Sequence, residues 1–299
     1  MSIRQYNFFF SQNPTQIAVA ERHPDKLFQF YTNGTLITKE VTRHIAAMGN
    51  LVPLVSVHGF QKETDAIRGN GVYERVMRTM DYLTQAGVVW GISFVLTSQN
   101  IDVFDAGFLD TMVEKGAMLG RFLTYMPTGR GSDWNLVPTP NQREKQGEIL
   151  RTFNSSGIPF FGIDYMNNPD FVKGCQAAGI RYVYVDSEAN VYPCVFLPVP
   201  SIFNLKDAYQ GVYSQQGLEV RNLMDILIKD PLFRKIRELA KQRDDHKCCL
   251  IIDNPAELKE ACSMLAFAYP VSDFSVFFQN ELGQAMLKEY ISLLRNYAR

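Results

Sequence analysis

The cysteines are the residues here best suited to chemistry. Five occur, Cys175, Cys194, Cys248, Cys249 and Cys262, and none precedes residue 175. They sit at element edges: after Gly174, after Pro193, and before the apolar run that Leu250 opens. A thiolate cage for zinc or for an iron–sulfur cluster takes about four sulfurs. Spacing alone leaves three uses open: zinc ligands, cluster ligands, or small buried hydrophobes. A disulfide framework is not expected, because the number is odd and no secretory signal precedes the chain.

These residues must be positioned by a globular fold. The chain has 299 residues, 46% hydrophobic and 20% charged, enough for one large domain or two ordinary ones. Thirty basic residues against 31 acidic ones, scattered rather than blocked, give no footprint for nucleic acid. No apolar run reaches the ~18 residues of a membrane span, and "YNFFFSQN" is too short for a signal-peptide core. The expected compartment is the cytoplasm.

Continuous apolar runs recur at 27–32, 52–57, 88–97, 119–126 and 159–164. Such runs suit parallel strands covered on both faces. Helical stretches alternate with them: 39–48 after Thr38 as N-cap, one carrying Val72, Val76, Met80 and Leu83, one carrying Phe104 to Val113, and one from Pro140 to about Phe153. The alternation predicts βαβ units in an α/β fold. "TNG", "HGF" and "PTGRGSDW" follow strand C-termini, where such folds keep ligands. After Asp170 the pattern changes. "YVYVDSEANVYPCV" predicts a hairpin, 211–217 a loop, and 222–228, 231–241, 255–266 and 274–297 helices.

The segments "GCQAAGIRYVYVDSEANVYPCVF", "FNLKD", "NLMDILIKDPLFRKIRE" and "KCC" resemble the SPASM or twitch extension of radical S-adenosylmethionine (radical SAM) enzymes. The extension has Gly-Cys, an Ala-Gly pair, a hairpin with D-x-x-G-x-V-x-P-C, a helix with P-x-F-x-x-I-R, and late cysteines. Here Ala189-Asn190 stands where Asp or Asn followed by Gly is usual. The resemblance implies that Cys175, Cys194 and Cys249 are metal ligands of an auxiliary [4Fe–4S] cluster. Cys249 is preferred to Cys248 because it opens "CLIIDNPAELKE". The first half resembles the family's barrel: "YTNGTLIT" matches the TNG after the third barrel strand, and "SVHGF" stands at S-x-[DE]-G after the fourth. The implied S-adenosylmethionine contacts are Asn33, Ser56, His58, Arg68 and Tyr125. Ser56 and Arg68, twelve apart, would hold the methionine carboxylate, which a guanidinium fork and a hydroxyl suit. A solvated charge at a helix start is the plainer reading of Arg68. His58 replaces the family's acid, and a neutral imidazole is a poorer partner for an ammonium.

The resemblance thus implies a partial (β/α) TIM-like barrel over 17–167, a small SPASM/twitch-like α+β domain over 168–262, and a helical segment over 263–299. The implied function is that of an iron–sulfur oxidoreductase or maturase acting on a peptide or cofactor precursor. Two alternatives stand beside it: a non-catalytic relic or scaffold keeping one site, and a (β/α) enzyme with a zinc site. The family's cluster loop, C-x-x-x-C-x-x-C, does not precede "FQFYTNG", and "FFFSQNP" stands where G-G-E-P would. The expectation is that the 5′ end is truncated or split, with the loop on a separately encoded fragment, or that the reaction is lost. The strand 27–32 is accordingly expected at an open sheet edge.

Overall fold

The structure is a computed structural model. It describes residues 5–9, 15–127, 133–164, 166–167, 175–197, 199–241, 249–251, 253–254 and 258. The expected helices at 255–266 and 274–297, apart from Leu258, and Cys248 and Cys262 lie outside these. The chain divides into two compact units, one of Met1–Tyr125 with Leu136–Asp164, the other of Met126–Asn135 with Tyr165–Arg299. Among the described residues no helix is long and apolar enough to cross a membrane.

The first unit is built on six parallel strands in sequential order: β1 (Gln5–Phe9), β2 (Leu27–Thr32), β3 (Leu51–Val57), β4 (Gly91–Leu96), β5 (Leu119–Thr124) and β6 (Phe161–Asp164). Helices link them: α1 (Thr15–Arg22), α2 (Lys39–Met48), α3 (Gln61–Arg68), α4 (Val72–Gln85), α5 (Ala106–Glu114) and α6 (Pro140–Asn154). This is an α/β sheet of the kind that fits a partial TIM-like barrel. The strand 27–32 is not at the edge, as β1 pairs with it from Gln5↔Leu27 to Phe9↔Tyr31. Its backbone donors and acceptors are therefore met on both sides.

Strand alternation separates two faces. Phe28, Phe30, Val55, Val57, Ile92, Phe94, Leu96 and Phe122 turn to the helices and form the core with Val76, Met80, Leu83, Phe108 and Met112. The other face carries polar groups in one register row, Ser56 beside Ser93 and Ser93 beside Arg121. Arg121 Nη2 donates to Gln29 Oε1 at 3.1 Å, 92 residues away. Gly91 lets β4 approach β5, since a Cβ there would meet the Leu119 carbonyl oxygen at 2.3 Å.

Local signals account for the helix ends. Thr38 accepts from Val41 N, and Thr139 and Gln142 form a reciprocal capping box. α3 was not expected: in QKETDAIR only Thr64 is buried, so no apolar period marks it.

The second unit holds a hairpin, β7 (Tyr184–Val185) against β8 (Val191–Tyr192), and helices Leu205–Tyr209, Val212–Gln215, Leu223–Lys229 and Pro231–Lys241. Val212–Gln215 replaces part of the expected 211–217 loop; Gly211, in the left-handed region at φ 75°, starts it. A separate core gathers Ala178, Val191, Ile226, Leu232, Phe233, Ile236 and Leu250.

Candidate functional site

The first cluster lies at the C-terminal ends of β2 and β3. After β2, the Thr32-Asn33-Gly34 turn is held by Gly34 N donating to Thr32 Oγ1 at 3.0 Å and Thr79 Oγ1 donating to the Gly34 carbonyl at 2.7 Å. Gly34 is required, because φ is +73° and a Cβ would lie 3.2 Å from Val55 Cγ1. Asn33 is exposed, and its Oδ1 accepts from Thr35 N and Thr35 Oγ1 at 3.1 and 3.0 Å.

After β3 the chain turns at His58-Gly59. His58 N donates to Thr64 Oγ1 at 3.1 Å, Thr64 Oγ1 donates to the Gly59 carbonyl at 3.0 Å, and Asn100 Nδ2 donates to the His58 carbonyl at 3.4 Å. Thr64 and Asn100 were not singled out in the sequence, where they read as ordinary polar residues. His58 is 5% exposed; neither ring nitrogen makes a hydrogen bond of good geometry, though the Val95 backbone is near enough to favour the charged ring slightly. Burial first, then the Arg68 charge, pushes its pKa down to about 4, so the imidazole is neutral near pH 7. Arg68 ends α3 rather than starting a helix. It is half-buried, its Nε has no partner, and burial lowers its pKa.

Ser56 is half-buried on the polar sheet face, whereas the His58 ring, just past the end of β3, lies 6.3 Å from the ring of Phe94, a core residue. The Arg68 charge acts on His58, and Ser56 stands on β3. Tyr125 lies further along the sheet, after β5, with its N–H donating to the Leu96 carbonyl at 2.8 Å.

The buried His58 ring makes stability pH-dependent. Its pKa falls from 6.5 to about 4 on folding, so the unfolded chain binds the proton first. This contribution is intact above pH 6.5 and is lost as pH falls toward 4. At pH 5 the loss is about 2 kcal/mol relative to pH 7. Denaturant titrations at the two pH values should show the difference, and His58→Gln should abolish most of it.

The second cluster is in the other unit. Ala178 N donates to the Pro193 carbonyl at 2.8 Å, which ties the segment after Cys175 to the segment before Cys194. Arg237, from the P-x-F-x-x-I-R helix, donates to the carbonyls of Ala178 and Leu227 at 2.8 and 2.7 Å. Cys249 is fixed by its own turn: its N–H donates to Asp253 Oδ2 at 2.9 Å, and Asp253 N donates back to the Cys249 carbonyl at 3.1 Å. The hairpin turn closes on Asp186, whose Oδ1 accepts from Glu188 N and Asn190 N at 2.9 and 2.8 Å. Ala189 has φ 67°, in the left-handed region that costs an alanine more than a glycine, asparagine or aspartate.

Cys175, Cys194 and Cys249 are all half-buried and pack against the second core. The Tyr182 hydroxyl lies 2.9 Å from Cys194 Sγ. Its pKa is raised well above the ordinary tyrosine value by burial, then by Cys194, Cys175 and Cys249. Burial pushes the Cys194 thiol up, while Tyr182 and the N–H groups of Phe196 and Leu197 favour its thiolate. Tyr182 was not anticipated; in "RYVYV" it reads as a strand residue. Among the described residues no three His, Cys, Asp or Glu side chains are placed to hold a single metal ion. A polynuclear cluster takes more widely spaced thiolates than one ion does.

Residues 11–106 match the radical SAM superfamily. The chain is 33% identical over 219 residues to the mycofactocin maturase MftC of Mycolicibacterium smegmatis, covering 70% of this chain and 53% of that protein. It is 28% identical over 192 residues to an AdoMet-dependent heme synthase of Methanosarcina barkeri, covering 56% of this chain and 54% of that one. The chain thus spans about half the length of the curated relatives it matches. The fold is similar to Streptococcus suis SuiB solved with its precursor peptide SuiA: TM-score 0.54, 16% identity, covering 78% of this chain and 56% of that one. Residues 11–106 thus carry the radical SAM match, the two relatives are similar in sequence, and the fold is similar to that of SuiB.

Proposed function

We propose that this chain is the barrel and auxiliary-cluster part of a radical SAM maturase acting on a peptide. The observation that carries the reading is the match of residues 11–106 to the family, with Cys175, Cys194 and Cys249 all half-buried against the core of the second unit and Cys194 held 2.9 Å from the Tyr182 hydroxyl. The three thiols, with backbone donors already aimed at Cys194, fit three ligands of an auxiliary [4Fe–4S] cluster in a SPASM-like domain. A peptide substrate follows the maturases and SuiB, which is solved with a precursor peptide.

On the barrel, Arg68 and Ser56 would anchor the carboxylate of S-adenosylmethionine. His58, neutral and with neither ring nitrogen in a hydrogen bond of good geometry, would donate or accept one hydrogen bond without neutralising the ammonium. When bound and reduced by an iron–sulfur cluster, S-adenosylmethionine supplies the radical. Within these 299 residues no cysteine precedes Cys175. Formation of 5′-deoxyadenosine is therefore expected only when a C-x-x-x-C-x-x-C loop is supplied by further polypeptide.

Calorimetric titration with S-adenosylmethionine tests the barrel assignment. Weak binding is expected, and Arg68→Ala should lose about 1.5–3 kcal/mol, the scale of a charged hydrogen bond. Affinity unchanged in Arg68→Ala, or no binding by the wild-type chain, would contradict the assignment.

A further inference from the structure

The Tyr182 hydroxyl has no role in the function proposed above. It lies 2.9 Å from Cys194 Sγ. The contact is built by local structure. Gly179 N donates to the Tyr182 carbonyl at 3.0 Å, Tyr182 N to the Gln176 carbonyl at 3.3 Å, and Ala178 N to the Pro193 carbonyl. The turn that follows Cys175 thus delivers Tyr182 to the residue after Pro193. The residue is 37% exposed, while its hydroxyl end is set against Cys194 Sγ.

We propose that Tyr182 donates a hydrogen bond to the Cys194 thiolate in the cluster-loaded chain and so sets the reduction potential of the auxiliary cluster. The inference rests on the cluster reading above. A hydrogen bond to a ligating sulfur withdraws electron density and stabilises the reduced, more negative state more than the oxidised one. Phe196 N, 3.5 Å from the same sulfur, is a longer second donor to Cys194. Tyr182 is a positioning and tuning residue here, not a ligand: a contact of 2.9 Å to sulfur is a hydrogen-bond separation, formed through the proton.

The test is a redox titration, followed by electron paramagnetic resonance, of the full chain reconstituted anaerobically with iron and sulfide. Tyr182→Phe removes only the donor. It should keep the wild-type iron content while shifting the one-electron equilibrium toward the oxidised cluster by up to about tenfold, a lowering of about 59 mV. A trifluorotyrosine placed at 182, a stronger donor of nearly the same shape, should move the potential the other way. Unchanged potentials in both variants with iron intact would overturn the proposal and leave the cluster reading standing. Loss of iron in Tyr182→Phe would also overturn it, by making the phenol a requirement for assembly. A wild-type chain that takes up no iron would remove the cluster reading itself, and this inference with it.

Discussion

Asp230→Ala is expected to destabilise the second unit by about 3–5 kcal/mol, enough to unfold a marginal domain. Asp230 is fully buried, at 0% exposure. Its Oδ2 accepts from Ser201 Oγ at 2.8 Å and Ile202 N at 3.1 Å, and its Oδ1 from Phe233 N at 3.1 Å. One carboxylate thus joins the loop after the hairpin to the start of the helix Pro231–Lys241. Truncation strands three donors in a site closed to water, and each stranded donor costs about 1–3 kcal/mol before relaxation. Loss of the cap of the helix adds to this. Hydrogen exchange should show protection lost across Ser201–Lys241 while the strands of the first unit keep theirs. A change below about 1 kcal/mol would mean that the carboxylate is not the organising contact.

Cys194→Ala is expected to abolish the auxiliary cluster. Cys194 Sγ meets the Tyr182 hydroxyl at 2.9 Å and Phe196 N at 3.5 Å. A cubane held by three protein thiolates in place of four is already exposed to loss, and two leave it without a stable cage. Anaerobic reconstitution should give broad visible absorbance in the wild-type chain, and iron content in the variant near background. Cys262→Ala, outside the described residues, should keep the absorbance. The substitution removes a half-buried small side chain, so the fold should survive it and the loss of iron can be assigned to ligation. Retention of full iron content in Cys194→Ala would remove Cys194 from the ligand set.

The parts of the fold that were legible in the sequence are those with continuous burial. β2, β3, β5 and the helices α2, α4 and α6 carry apolar runs or stripes with ordinary caps, and their bounds fall within a few residues of expectation. β1 was not legible, because QYNFF is short and has no helix of strong period beside it. α3 was missed for the opposite reason, being almost wholly polar, and with it the placement of Arg68 at a helix end. In the site, Ser56, His58 and Arg68 are legible as a spacing, but the burial of His58 is not. That depends on Thr64 and Asn100 folding the turn inward. Tyr182 was invisible because nothing in its neighbours says that a backbone bond from Ala178 to Pro193 sets it on a sulfur.

On the function proposed here, the second unit holds a polynuclear cluster on Cys175, Cys194 and Cys249. The most direct measurement is the Mössbauer spectrum, with iron and sulfide analysis, of the 299-residue chain reconstituted anaerobically with ⁵⁷Fe. The predicted result is about four irons and four sulfides per chain, in the single doublet of an oxidised [4Fe–4S] cluster. Mononuclear iron, iron below one per chain, or a cluster that persists when all three cysteines are replaced by alanine would contradict it.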